Sequence, residues 1–264
     1  MPVITSRQND KVKLARALHS RKTREAEQRF LVEGTFHLGE AATAGAPLDF
    51  VLYAEEQLRG DFALQLLADL RAKGVDCHAV SPDVMESIAS KENPSGLIAV
   101  ARQNFTSLSS LIPHPSSLFI ALVEPADPGN LGTILRTADA VGTGGLLLLD
   151  GGVDAHHPTT VRAGLGSHFW VPLAQASFKE FASWAKDQGV QLCGSSAHGS
   201  VDYREASYPR PLALVLGSER EGLSESQRAA CDQLVSLPMQ GRATSLNLAV
   251  AAGVLLYAIT GSPY

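Results

Sequence analysis

Leu214-Val-Leu-Gly-Ser-Glu-Arg-Glu-Gly222 is the stretch on which the architecture turns. The apolar run Leu212–Leu216 carries no alternating polar residues, the pattern of a strand covered on both faces. It stops at Gly217, and a charged turn containing Glu219 follows. The glycine either closes a turn or lets a ligand lie against bare backbone. Outward from it, residues 119–123, 146–150, 191–193 and 234–237 read as further buried strands. Helical patterns fall at 131–141, 158–167 and 178–188, and an Ala-rich helix from about Ser245 closes the chain. Strands alternating with helices predict an α/β fold with a parallel sheet.

Two more polar segments follow predicted strands, where open α/β sheets bind ligands. Asp127-Pro-Gly-Asn-Leu-Gly-Thr-Ile-Leu-Arg136 offers Asn130 as an N-cap and Gly132 for close approach, with Arg136 one to two turns into the helix. An ordinary capped helix with a solvated arginine fits the segment equally well. Leu237-Pro-Met-Gln-Gly-Arg-Ala-Thr-Ser-Leu-Asn247 ends a strand, turns at glycine and offers Thr244 or Ser245 as a cap. Asn247 stands at the head of an otherwise apolar helix, so its amide must hold either a loop or a ligand.

The N-terminal half is also α/β. Residues 29–33, 50–53, 77–80 and 97–101 read as strands and 61–73 as a helix, with another started by Ser81-Pro82. Ser and Pro crowd residues 106–117, which predicts a linker between a domain at 1–105 and one at 118–264. The net charge is −5, yet residues 1–30 hold eight basic and three acidic side chains. Such a basic segment, including Arg21, Lys22 and Arg24, serves either as a phosphate-contacting surface or as a solvated helix face. No signal peptide is visible, and the longest apolar run, 246–259, is shorter than the roughly 20 residues that span a bilayer. A soluble cytoplasmic protein is expected. Cys77, Cys193 and Cys231 are far apart, and His156-His157 lacks partners at ligand spacing, so no metal is expected. GxGxxG, Walker A and G-x-S-x-G motifs are absent.

Taken in order, the three segments resemble the SpoU (TrmH-type) family of RNA 2′-O-ribose methyltransferases in the SPOUT superfamily. Asn130, Gly132 and Arg136 match its N-x-G-x-x-x-R motif. Leu216, Gly217, Glu219 and Gly222 match L-G-x-E-x-x-G. Pro238, Met239, Gly241, Ser245, Leu246 and Asn247 match P-M-x-G-x-x-x-S-L-N. Arg29-Phe-Leu-Val-Glu-Gly34 and Asn93-Pro-Ser-Gly-Leu97 are similar to segments of a ribosomal-protein-like RNA-binding domain that precedes the catalytic domain in rRNA-directed members. Thr244 stands where many members have Glu, and Gly164 where a Ser is common.

The resemblance implies a trefoil-knotted methyltransferase domain, a homodimer with a shared active site, and S-adenosyl-L-methionine (SAM) as cofactor. SAM would be held near Leu216, Gly217, Leu237, Met239 and Leu246, with Ser195 at the adenine. RNA would meet Arg21, Lys22, Arg24 and Arg162. The implied catalytic residue is Arg136, with Asn130, Glu219, Ser245 and Asn247 positioning it and the methionine end of SAM. Arginine stays protonated near neutrality, which favours stabilisation of a developing alkoxide over a role as base. The RNA is expected to be ribosomal, 23S favoured. A tRNA methyltransferase and a silent RNA-binding or ribosome-assembly factor are the alternatives.

Overall fold

The computed structural model describes residues 2–90, 93–197, 199 and 201–261. The chain forms two compact units, one of residues 1–103 with 154–169, the other of 104–153 with 170–264.

In the first unit the elements are α1 (Asp10–Ala17), α2 (Arg21–Glu27), β1 (Arg29–Glu33), α3 (Thr35–Thr43), β2 (Leu48–Tyr53), α4 (Asp61–Ala72), β3 (Cys77–Ala79), α5 (Pro82–Ile88) and β4 (Leu97–Arg102). The sheet order is β1-β4-β2-β3, antiparallel except for the β2–β3 pair. Residues alternate between its faces, as the pleat requires. Phe30, Val32, Leu97 and Ala99 pack with Leu38, Leu66 and Leu67 from α3 and α4. Leu31, Ile98 and Val100 pack on the other side with Val12 and Ala15 from α1 and Val84 and Met85 from α5. The predicted Ser81 cap is present: its hydroxyl accepts from Val84 N–H, and Pro82 opens α5.

In the second unit β5 (Leu118–Val123), α6 (Pro128–Ala140) and β6 (Gly145–Leu149) come first. The chain then forms α7 (Pro158–Ala163) in the first unit, where Val161 joins the core. It continues as β7 (Leu173–Ala176), α8 (Phe178–Asp187), β8 (Gln191–Ser195), β9 (Val201–Asp202), β10 (Leu212–Leu216), α9 (Glu225–Ala229), β11 (Gln233–Ser236) and α10 (Leu248–Thr260). All seven strands run parallel in the order β7-β6-β5-β10-β8-β11-β9. The five residues of β10 are all buried, which explains their unbroken apolarity. Phe119, Ala121 and Ala213 pack with Phe181 and Trp184 of α8 on one face of the sheet. Helices α6 and α10 pack on each other, and α10 also meets β10.

Residues 106–117, expected as a linker, belong to the second unit. Thr106 N–H donates to Leu173 O at 2.7 Å, and Leu111 is buried in that unit's core. No helix among the described residues is long and apolar enough to cross a membrane.

Candidate active site

The carboxyl ends of β8, β10 and β11 open onto a cleft of about 940 Å³. Its size lies in the range of small-molecule sites, roughly 300–1,000 Å³. Ser195, Leu216, Gly217, Glu219, Leu237, Met239, Ser245, Leu246 and Asn247 all line it, so the strand-end and loop positions expected from sequence converge with the N-cap of α10. Met239 and Leu246 are exposed there, as suits the apolar wall of a ligand cleft. Ser218, Ser236 and Arg228 also line the cleft and were not anticipated. Arg228 belongs to α9, whose capping box of Ser224 and Gln227 is a signal that sequence reading could have used.

One hydrogen-bonded chain joins the three polar segments. Glu219 Oε2 accepts from Ala126 N–H at 2.9 Å, and its Oε1 accepts from Asn130 Nδ2 at 3.2 Å. Asn130 Oδ1 accepts from Asn247 Nδ2 at 2.9 Å. Asn247 Oδ1 in turn accepts from Ala249 N–H at 2.9 Å, capping α10. Two expected caps are thereby corrected. Asp127, not Asn130, caps α6, because its carboxylate reaches Asn130 N–H while Pro128 takes the first helical position. Asn247, rather than Thr244 or Ser245, caps α10.

Gly217 is glycine for a reason internal to the turn. A Cβ there would lie 2.1 Å from the Gly222 carbonyl carbon, and Gly222 N–H donates to Ser218 O at 3.0 Å. The turn's own backbone therefore already excludes a side chain at this position.

Arg136 is exposed on α6 and does not line the cleft. Among the described residues its guanidinium has no hydrogen-bond or ion-pair partner. Burial pushes the Cys193 thiol up to about 12, and the Cys231 thiol up to about 11, so neither supplies a thiolate beside the cleft near neutrality. No group of three or more metal-ligating side chains occurs among the described residues.

The expected RNA contacts divide. Arg21, Lys22 and Arg162 are exposed. Arg24 is 1% exposed, pairs with Asp154 at 2.6 Å and donates to the Leu18 and His19 carbonyls. Its assignment as a phosphate contact is corrected: its guanidinium is turned inward, into the first unit.

The chain matches a family model described as the SpoU rRNA methylase family over residues 117–257. An MRM3-like substrate-binding domain model matches residues 9–99. The 23S rRNA (guanosine(2553)-2′-O)-methyltransferase RlmP of Bacillus subtilis is 32% identical, covering 99% of this chain and 100% of that protein. A 23S rRNA (uridine(2479)-2′-O)-methyltransferase of Streptomyces viridochromogenes is 32% identical, covering 91% and 85%. The crystal structure of an AdoMet-bound rRNA methyltransferase from Sinorhizobium meliloti superposes with a TM-score of 0.89 at 34% identity, covering 98% and 97%.

Proposed function

The chain belongs to the SpoU rRNA methylase family, and on that basis we propose that it transfers a methyl group from SAM to a ribose 2′-hydroxyl of ribosomal RNA, 23S favoured. The observation that carries the reading is the convergence of three motif segments on one cleft through the Glu219–Asn130–Asn247 chain. The cleft's mixed lining suits the cofactor. Leu216, Leu237, Met239 and Leu246 offer an apolar bed, and Ser195 and Ser245 offer hydroxyls. SAM, when bound, supplies an activated methyl carbon. Arg136 steadies the alkoxide that develops on the ribose oxygen and grips the neighbouring phosphate. Glu219, Asn130 and Asn247 set the start of the helix that carries Arg136.

Arg136 stands outside its own chain's cleft, and a second copy resolves this. On α10, Val250, Val254 and Tyr257 are 52%, 37% and 49% exposed at helical spacing, an apolar stripe suited to a homodimer face. In that dimer Arg136 of one protomer serves the cleft of its partner. The trefoil knot belongs to the same proposal and is supported by the likeness to the Sinorhizobium meliloti rRNA methyltransferase along nearly the whole chain. Residues 1–105 act as the RNA-binding domain and 118–264 as the catalytic one, in the cytoplasm where ribosomal RNA is handled.

Calorimetry with SAM, followed by methylation of bulk rRNA and bulk tRNA, tests the reading. Saturable SAM binding with transfer to rRNA is expected. Binding without transfer would identify a silent RNA-binding factor, and transfer only to tRNA would reassign the substrate.

A further inference from the structure

A second, much smaller pocket lies in the first unit, with a volume of about 20 Å³. Glu33, His37, Ser90 and Arg162 contribute its polar lining. Glu33 Oε2 accepts from the Ser90 N–H at 3.0 Å and from the Ser90 hydroxyl. Glu33 Oε1 is buried and, among the described residues, has no partner. His37 is 8% exposed and fixed by a 3.2 Å contact with the Arg162 carbonyl, which leaves the Arg162 side chain exposed at the rim. A buried carboxylate oxygen without a donor costs free energy, so this one calls for a donor from outside. The volume admits about one oxygen-sized group and excludes a nucleobase.

We propose that this pocket is an RNA-backbone subsite, in which Glu33 Oε1 accepts the 2′-hydroxyl of a ribose away from the methylated nucleotide and Arg162 takes the adjoining phosphate. The inference rests on the RNA-methyltransferase reading. A hydroxyl is a neutral donor of the right size, and the cation at the rim offsets the repulsion between Glu33 and the phosphates. DNA lacks this hydroxyl, so the subsite discriminates RNA from DNA.

The test is fluorescence anisotropy of the full chain with a labelled single-stranded oligouridylate and its 2′-deoxy counterpart across a salt series. Wild type is expected to prefer the ribo-oligomer by about tenfold, the worth of one hydrogen bond to a charged acceptor. Glu33→Gln keeps an acceptor for Ser90 and should bring the ratio close to one by weakening only the ribo-oligomer. Arg162→Gln should weaken both oligomers and lower the salt slope by about one. Unchanged melting and SAM affinity would show that the variants are folded. The proposal is overturned if wild type shows no ribose preference, as for a pocket that holds only water, or if the preference survives Glu33→Gln. Failure of the wild-type chain to bind SAM would instead sink the methyltransferase reading and leave the ribose ratio readable.

Discussion

Arg136 and Arg24 show how differently two arginine residues of one chain are used. Arg136 is exposed and its guanidinium unpaired among the described residues, free to meet an anion. If it acts by oriented charge, Arg136→Lys retains part of the methylation rate and Arg136→Ala far less, because lysine keeps the charge and loses the planar fork. Single-turnover rates across roughly pH 6 to 10 approach the pKa of a free lysine. A Lys variant that climbs to the wild-type rate with one ionisation would make position 136 a base. Arg24 is the opposite case, buried against Asp154. Arg24→Ala should cost about 3 kcal/mol in denaturant unfolding, since it empties a buried guanidinium site and leaves Asp154 Oδ2 without its donor. Neutralising the exposed Arg21 and Lys22 should leave stability intact and flatten the salt dependence of RNA binding. Equal stability losses for both sets would contradict the assignment. Charge alone could not separate these residues in the sequence: Arg24 sits in the same basic run, and its partner is 130 positions away.

Among the elements, the turn after β10 carries the next prediction. Gly217→Ala sets a Cβ against the Gly222 backbone, so the turn must open and Glu219 must leave Ala126 and Asn130. SAM affinity and melting temperature should fall together, read by calorimetry and thermal unfolding. A variant that loses SAM binding with an unchanged melting temperature would instead put the ligand against Gly217. Most buried strands were legible because near-continuous apolar runs have few other uses. Helices α1, α2, α3 and α9 are not legible as elements, since each is brief and, unlike the equally short α5 and α7, has no proline in its first turn to announce it. The caps at Asp127 and Asn247 were misassigned because several Asn, Asp, Ser and Thr residues stand near each start. Only the tertiary partners Glu219 and Asn130 decide among them.

Across the molecule as a whole, the least legible feature is that residues 154–169 leave the second unit and complete the first. His156 packs 4.5 Å from the Phe30 ring, and His168 Nε2 lies 2.7 Å from the Ala155 carbonyl. No local pattern announces contacts so distant in sequence as that between His156 and Phe30. The buried histidines have a consequence in acid. Burial, then the neighbouring His168, lowers the His156 pKa, and burial pushes His168 down to about 4. Both are neutral when folded and take up protons more readily when unfolded. Their contribution to stability is therefore complete above the unfolded value near 6.5 and is lost as pH falls from there through the folded values. Denaturant midpoints should drop over that window, and His168→Gln should reduce the drop; an identical profile in that variant would contradict the coupling. The three motifs of the catalytic cleft were readable as residues, while their assembly, the capping chain and the position of Arg136 outside the cleft required the fold. Ribose methylation of ribosomal RNA, on which the rest depends, is decided by mapping 2′-O-methyl groups in all RNA from a deletion strain against its parent. One ribose methylation is expected to disappear from 23S rRNA and to return with the wild-type gene but not with Arg136→Ala. An rRNA methylation map identical in the two strains would contradict it.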